Sequence, residues 1–204
     1  MRTAIQIAEK VISRMERPDY VGSIEVAHPG FINFTLSDAW VAGQVETSLG
    51  QKEDYGREDM GQGRPMQVEY ISANPTGPLT VGSGRNAVLG DTLAAVLDAA
   101  GYKVQREYYV NDVGTQVDNL GEAMVARYLQ ALGRDVPDPD EYQGEYLVAL
   151  GRKAAAEFGD KYAGVERSNA LAFMRQYALE GIIASLKEDT ALIRVHFDRW
   201  FSEQ

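Results

Sequence analysis

Glu69, Asn74, Thr80, Ser83, Asn111, Asp112 and Glu203 are the polar residues that their sequence neighbours single out for chemistry. Glu69 lies in the otherwise apolar stretch "MQVEYIS". A carboxylate there either sits at an exposed strand edge or faces a polar crevice, where it would bind an ammonium or guanidinium group. Asn74, five residues on, offers both a donor and an acceptor. The stretch "ISANPTGPLTVGSGRNAVLGD" reads as strand end, turn and helix, with Gly82 and Gly84 where the helix should begin. Free N–H groups at a helix start bind phosphate. Thr80 and Ser83 flank Val81-Gly82 there and offer hydroxyls without charge. A purely structural reading competes: Pro75, Gly77, Pro78, Gly82 and Gly84 only let a strand turn tightly into its helix. "YYVNDVGTQ" sets Tyr109, Asn111, Asp112 and Gln116 just past a second strand. The plain alternative is that Asn111 or Asp112 caps the next helix. Ser202 and Glu203 form either another rim element or a frayed terminus.

Other chemistries find little support. The chain has no cysteine, which excludes disulfides and thiolate metal sites and fits a reducing cytoplasm. Its two histidines, His28 and His196, lie far apart, so no His-based metal cage and no Ser-His-Asp arrangement is expected. The net charge of −10 is opposite to that of a generic nucleic-acid coat, so any RNA binding must rest on something other than overall charge. Hydrophobic residues at 45% and charged residues at 25% match a globular chain. No apolar run nears the roughly 18 residues of a membrane span.

These residues need elements to hold them. Ile5, Ala8, Ile12 and Met15 predict an amphipathic helix ended by Pro18-Asp19. "SIEVA" and "FINFTL" alternate like strands joined through His28-Pro29-Gly30, and Ser37 or Asp38 opens a second helix. Residues 1–50 thus form a small α+β appendage, and the glycine-rich stretch 51–65 a linker. From Met66 the order becomes strand, helix, strand, helix, which predicts a parallel α/β sheet over 66–204. The first of these helices presents Leu89, Leu93, Val96, Leu97 and Ala100 and is closed by Gly101. The second presents Val117, Leu120, Met124, Tyr128 and Leu132. An insertion at about 135–165 is expected to pack on the sheet, followed by a long helix over 168–190 and a strand-like "RVHFDRWFSEQ". Ligands of such sheets bind beyond the strands' carboxyl ends, here near 72–84 and 109–116.

"VEYISANPTGPLTVGSGRNAVLGD", "GYKVQREYYVNDVGTQ", "YQGEYL" and "HFDRWFSE", in this order, resemble arginyl-tRNA synthetases, which are class I aminoacyl-tRNA synthetases, and "GFINFTL" resembles the end of their N-terminal tRNA-contacting domain. The resemblance implies a partial Rossmann-type sheet with a helical insertion. It implies arginine, ATP with Mg²⁺ as substrate, and tRNA-Arg as ligands, and arginyl-adenylate followed by arginyl-tRNA as products. Glu69, Ser72 and Asn74 match arginine-binding positions, with Glu69 and Asn74 toward the ammonium, and Glu203 matches an acid facing the guanidinium. Pro75, Thr76, Gly77, Pro78, Gly82 and Gly84 match the ATP loop. Tyr109, Asn111, Asp112 and Gln116 match the rim of the same pocket.

The chain also departs from the family. The signature His-Val/Ile-Gly-His falls on Thr80-Val81-Gly82-Ser83, which keeps the glycine and loses both histidines. The second catalytic half and the anticodon-binding domain are expected to be missing, as is the opening of the N-terminal domain. The chain alone is therefore expected not to activate arginine. The alternatives are a non-catalytic paralogue that binds arginine, nucleotide or tRNA, and one half of an assembly in which a partner chain or self-association covers the incomplete sheet.

Overall fold

The computed structural model describes residues 2–204. They form two compact units, one up to Arg57 and one from Glu58. In the first, Thr3 opens α1 (Ala4–Ile12) with a reciprocal cap: its hydroxyl accepts the Gln6 N–H, and the Gln6 side chain accepts the Thr3 N–H. The helix stops at Ile12, well before Pro18, where the Ser13 hydroxyl donates to the Lys10 carbonyl. Met15 therefore lies outside the helix and is exposed. Strands β1 (Val21–Ala27) and β2 (Phe31–Leu36) form an antiparallel hairpin. Ser37 caps α2 (Asp38–Gln51) by accepting the Trp40 N–H.

The second unit is built on three parallel strands in the order β3 (Pro65–Glu69), β4 (Lys103–Val110), β5 (Arg199–Ser202). Helix α3 (Val81–Ala99) links β3 to β4. Helices α4 (Thr115–Ala131), α5 (Glu145–Phe158) and α6 (Arg167–Leu192) link β4 to β5. Both crossovers step across the sheet in one direction, so right-handed connections bring all four helices to one face. Val68, Val104, Tyr108 and Val110 join the cores beneath them. By alternation Gln67, Glu69, Glu107 and Tyr109 point to the other face, which is polar. There Glu107 is buried but compensated. Gln67 Nε2 donates to it at 2.7 Å, and Arg199 Nε lies 3.6 Å away. β3 is an edge strand whose only buried residue is Val68.

The α4 stripe meets expectation. Val117, Leu120, Met124 and Tyr128 pack with Met174, Ala178, Ile182 and Leu186 in one core. α5 packs chiefly on α4, where Gly151 sits so close to Arg127 that a Cβ would fall 2.7 Å from its backbone. The insertion thus adds to the helical layer and does not lie on the sheet.

α3 departs from most of its predicted face. Leu97 packs half-buried against the core as expected, but Leu89, Leu93 and Val96 are exposed, and the buried residues are Ala87, Gly90 and Ala94. Gly90 explains the choice: a Cβ there would lie 2.2 Å from the Tyr70 ring. The helix approaches the chain leaving β3 so closely that only its small-residue stripe fits beneath it. Gly101 (φ +86°) follows α3 and turns the chain into β4.

Candidate functional site

The loop leaving β3 is held by side chains along its length. Ile71 and Ser72 adopt φ of +66° and +41°, uncommon for residues with a Cβ. Two bonds anchor them: the Ile71 N–H donates to Asn86 Oδ1 at 2.6 Å, and Ser72 Oγ accepts the Tyr109 N–H at 3.1 Å. The Tyr108 hydroxyl donates to the Ala73 carbonyl and the Tyr146 hydroxyl to the Thr76 carbonyl, at 3.0 and 2.7 Å. Asn74 Nδ2 donates to Gln116 Oε1 at 2.6 Å, joining the loop to the first turn of α4. Pro75 is fully buried. Asn86 and Tyr146 are loop-holding residues that sequence reasoning missed. Asn86 gave a weak signal as an amide between the glycine turn and the apolar body of α3.

Thr80 is the N-cap of α3 and Ser83 its N3 residue. Thr80 Oγ1 accepts the Ser83 N–H and Ser83 Oγ accepts the Thr80 N–H, each at 3.3 Å, with the two hydroxyls also 3.3 Å apart. The two hydroxyls are thus turned onto the backbone that would otherwise present its N–H groups outward. Neither neighbouring glycine is demanded by packing. A Cβ at Gly82 would make ordinary contact with Thr80, and one at Gly84 would meet nothing within 4 Å.

The second cluster gathers at the carboxyl ends of β4 and β5. Neither Asn111 nor Asp112 caps α4; its N-cap is Gly114, with no side-chain bond. Asp112 instead accepts the Ser202 hydroxyl at 2.6 Å and the Glu203 N–H at 3.0 Å. Asn111, with its amide orientation assigned from its surroundings, donates to Glu203 Oε2 at 3.0 Å and to the Val113 carbonyl at 3.1 Å. Desolvation, a hydrogen bond to Glu203 and the charges of Glu203, Glu69 and Asp112 together push the Tyr109 phenol above its ordinary range. Glu69 is exposed at the end of β3 and reaches this cluster through that charge. Three carboxylates around one phenol favour a cation over an anion.

Among the described residues no group of three or more His, Cys, Asp or Glu is placed to hold a metal ion. None of the described helices is long and apolar enough to cross a membrane. A cavity of about 250 Å³ lies beside the loop, lined by Gly77, Pro78, Tyr146 and Lys153 among others. A second of about 620 Å³ lies away from both clusters, between α4 and the loop around Asp138.

A parallel sheet that gathers polar side chains at its carboxyl edge, with a turn into a helix beside them, is the frame of a Rossmann-type α/β domain. Residues 44–144 match the family described as tRNA synthetases class I (R), catalytic domain. Residues 2–36 match the arginyl tRNA synthetase N terminal domain. The arginine–tRNA ligase of Shouchella clausii is 44% identical over 97% of this chain, and that of Heliobacterium modesticaldum 46% over 98%. A crystal structure described as an arginyl-tRNA synthetase from Campylobacter jejuni superposes on 82% of the chain with a TM-score of 0.72 and 32% identity, and covers 37% of that protein. The Thermus thermophilus arginyl-tRNA synthetase shares the fold over 99% of the chain, with a TM-score of 0.61, and is covered over 33% of its own length. The chain belongs to the arginyl-tRNA synthetase family. It spans about a third of the length of the curated relatives it matches.

Proposed function

We propose that this chain carries the arginine-binding part of an arginyl-tRNA synthetase site, joined to a nucleotide loop that no longer promotes activation. The observation that carries this reading is the contrast between Thr80-Ser83 and the acidic rim. At the signature positions both side chains are spent on capping α3. At the rim, Glu69 and Glu203 remain as carboxylates on the outer, polar side. Glu69, Ser72 and Asn74 would receive the ammonium end of arginine, and Glu203 its guanidinium. Tyr109, Asn111, Asp112 and Gln116 would hold the pocket's rim. Pro75, Thr76, Gly77, Pro78, Gly82 and Gly84 would line the approach of ATP, with Mg²⁺ arriving as part of that substrate. The N-terminal unit would contact tRNA-Arg, and the setting would be the cytoplasm.

In the family the missing imidazoles stabilise the ATP phosphates as charge moves. One such donor is worth about 2.7–4 kcal/mol, or roughly 10²–10³ in rate. Two uncharged hydroxyls engaged with the backbone do not replace them. The test is calorimetry with arginine and with ATP, alongside ATP–pyrophosphate exchange in the presence of tRNA. Arginine binding without exchange is expected; robust exchange by the isolated chain ends the reading. Thr80→His with Ser83→His, placed in a chain that includes the remaining two thirds of a relative, should raise exchange. No gain there assigns the defect elsewhere.

A second reading has its own observation. α3 leaves Val88, Leu89, Leu93 and Val96 exposed, next to the edge strand β3. Such a surface suits a partner chain or a second copy that completes the sheet. Sedimentation decides it: a monomer at every concentration tested, unchanged by a co-expressed second half of a relative, removes this reading.

A further inference from the structure

Asp112 is 8% exposed, and a buried carboxylate needs donors. Its donors come from ninety residues away. Ser202 gives its hydroxyl to Oδ2 and Glu203 its backbone N–H to Oδ1. The Gln204 side chain adds a bond to the Asp112 carbonyl at 3.2 Å. The β4–β5 ladder pairs its last residues at Val110 and Ser202. One more backbone bond follows, the Glu203 N–H to the Val110 carbonyl at 3.2 Å, and Asp112 shares that N–H, reinforcing the pairing with its side chain where the regular ladder ends.

We propose that Asp112 is a positioning residue that fixes the carboxylate of Glu203 for a guanidinium ligand. The inference rests on the reading of Glu203 as the guanidinium acceptor. Asp112 holds the backbone of Glu203, while Asn111 holds its carboxylate from the adjoining position. Two acids sit side by side here without equivalent roles. The charge of Asp112 is taken up by the Ser202 and Glu203 donors. That of Glu203 meets the Asn111 amide and the Tyr109 phenol, and a carboxylate with about four acceptor sites keeps capacity for a ligand. Asp112 is too buried to meet the ligand itself and acts only through Glu203.

The test uses the full chain, four single variants and one double variant. Amide exchange is followed at Ser202, Glu203 and Gln204, and arginine is titrated against citrulline, which has the same shape without the guanidinium charge. Asp112→Ala should speed exchange at Glu203 by at least about tenfold while leaving the Val104–Val110 amides unchanged. It should weaken arginine binding by about tenfold and citrulline binding by less than about twofold. Asp112→Asn keeps an acceptor for the Glu203 N–H, and the Ser202 hydroxyl can turn to accept, so it should restore most of both losses. Ser202→Ala removes one donor only and should fall between. On a Glu203→Gln background, Asp112→Ala should cost almost nothing more, because the two residues act as one unit. Equal losses for arginine and citrulline, additive losses in the double variant, or unchanged exchange at Glu203 in Asp112→Ala each overturn the proposal. If the unsubstituted chain does not bind arginine, the binding reading fails by itself, and the exchange arm still decides whether Asp112 clamps the strand end.

Discussion

The mouth of α3 and the carboxyl rim of β4 and β5 solve the same problem in opposite ways. Both must satisfy polar groups where a regular element ends. At the α3 mouth, Thr80 and Ser83 bond reciprocally to each other's backbone, so the polar groups close on themselves. At the rim, Asp112 absorbs the strand-end donors, and Glu203 is left with a carboxylate that faces outward. The lesson is that polar content does not mark a site. What matters is whether donors and acceptors are consumed inside the chain or left for a ligand. On the proposed reading the mouth is a stability device and the rim is the part left for a ligand.

The largest expected effect removes the frame that both regions share. Gly90→Val would drive a side chain into Tyr70, where even a Cβ lies 2.2 Å from the ring. It should cost about 3 kcal/mol or more of stability, read by urea denaturation; a loss under about 1 kcal/mol would mean α3 does not seat as described.

Alkali should weaken the same frame. Burial pushes the Tyr108 phenol to about 12, and burial with the Asp91 carboxylate pushes the Tyr70 phenol to about 12, from the ordinary 10.0. A raised value means the folded state holds the proton more tightly than the unfolded state does. The contribution is therefore whole below pH 10 and is lost as pH climbs toward 12. The urea midpoint should fall across that window, and less so in Tyr108→Phe. A flat profile would contradict the burial of both phenols.

Glu203→Gln sharpens the rim's half of the comparison. Arginine affinity should fall roughly 10- to 100-fold with the thermal midpoint nearly unchanged. Equal affinity for both proteins would remove Glu203 from the site. The smallest effect belongs to the mouth. Thr80→Ala should lower stability by about 1 kcal/mol and leave arginine binding untouched. If it changed binding and spared stability, the contrast between the two regions would be reversed.

Some of this was legible in residue order. Val117, Leu120, Met124 and Tyr128 recur at helical spacing and all reach the core, because α4 has one apolar stripe and one way to bury it. The stripe of Leu89, Leu93 and Val96 is equally periodic, yet it stays exposed. Periodicity says which residues share a face. It does not say that the neighbouring Ala87, Gly90 and Ala94 allow a closer approach to Tyr70. The reciprocal cap was readable in principle, since Thr80 and Ser83 have the N-cap and N3 spacing, but with a serine where the usual pattern has an acid or amide. "ND" ahead of a helix looked like a cap, and Gly114 took that position while Asp112 turned to Ser202.

By itself the sequence determined the order of strands and helices, the parallel α/β class, the absence of thiol chemistry and, through four spaced motifs, the family. These follow from local propensity, period and side-chain type. Only the tertiary structure decided which stripe of α3 is buried, that Thr80 and Ser83 face the backbone, and that Asp112 binds the end of a strand ninety residues on. The two long-range outcomes are set by how closely separate elements approach. The third depends on rotamers that spacing permits without choosing. The two long-range outcomes are not written in the residues taken one after another.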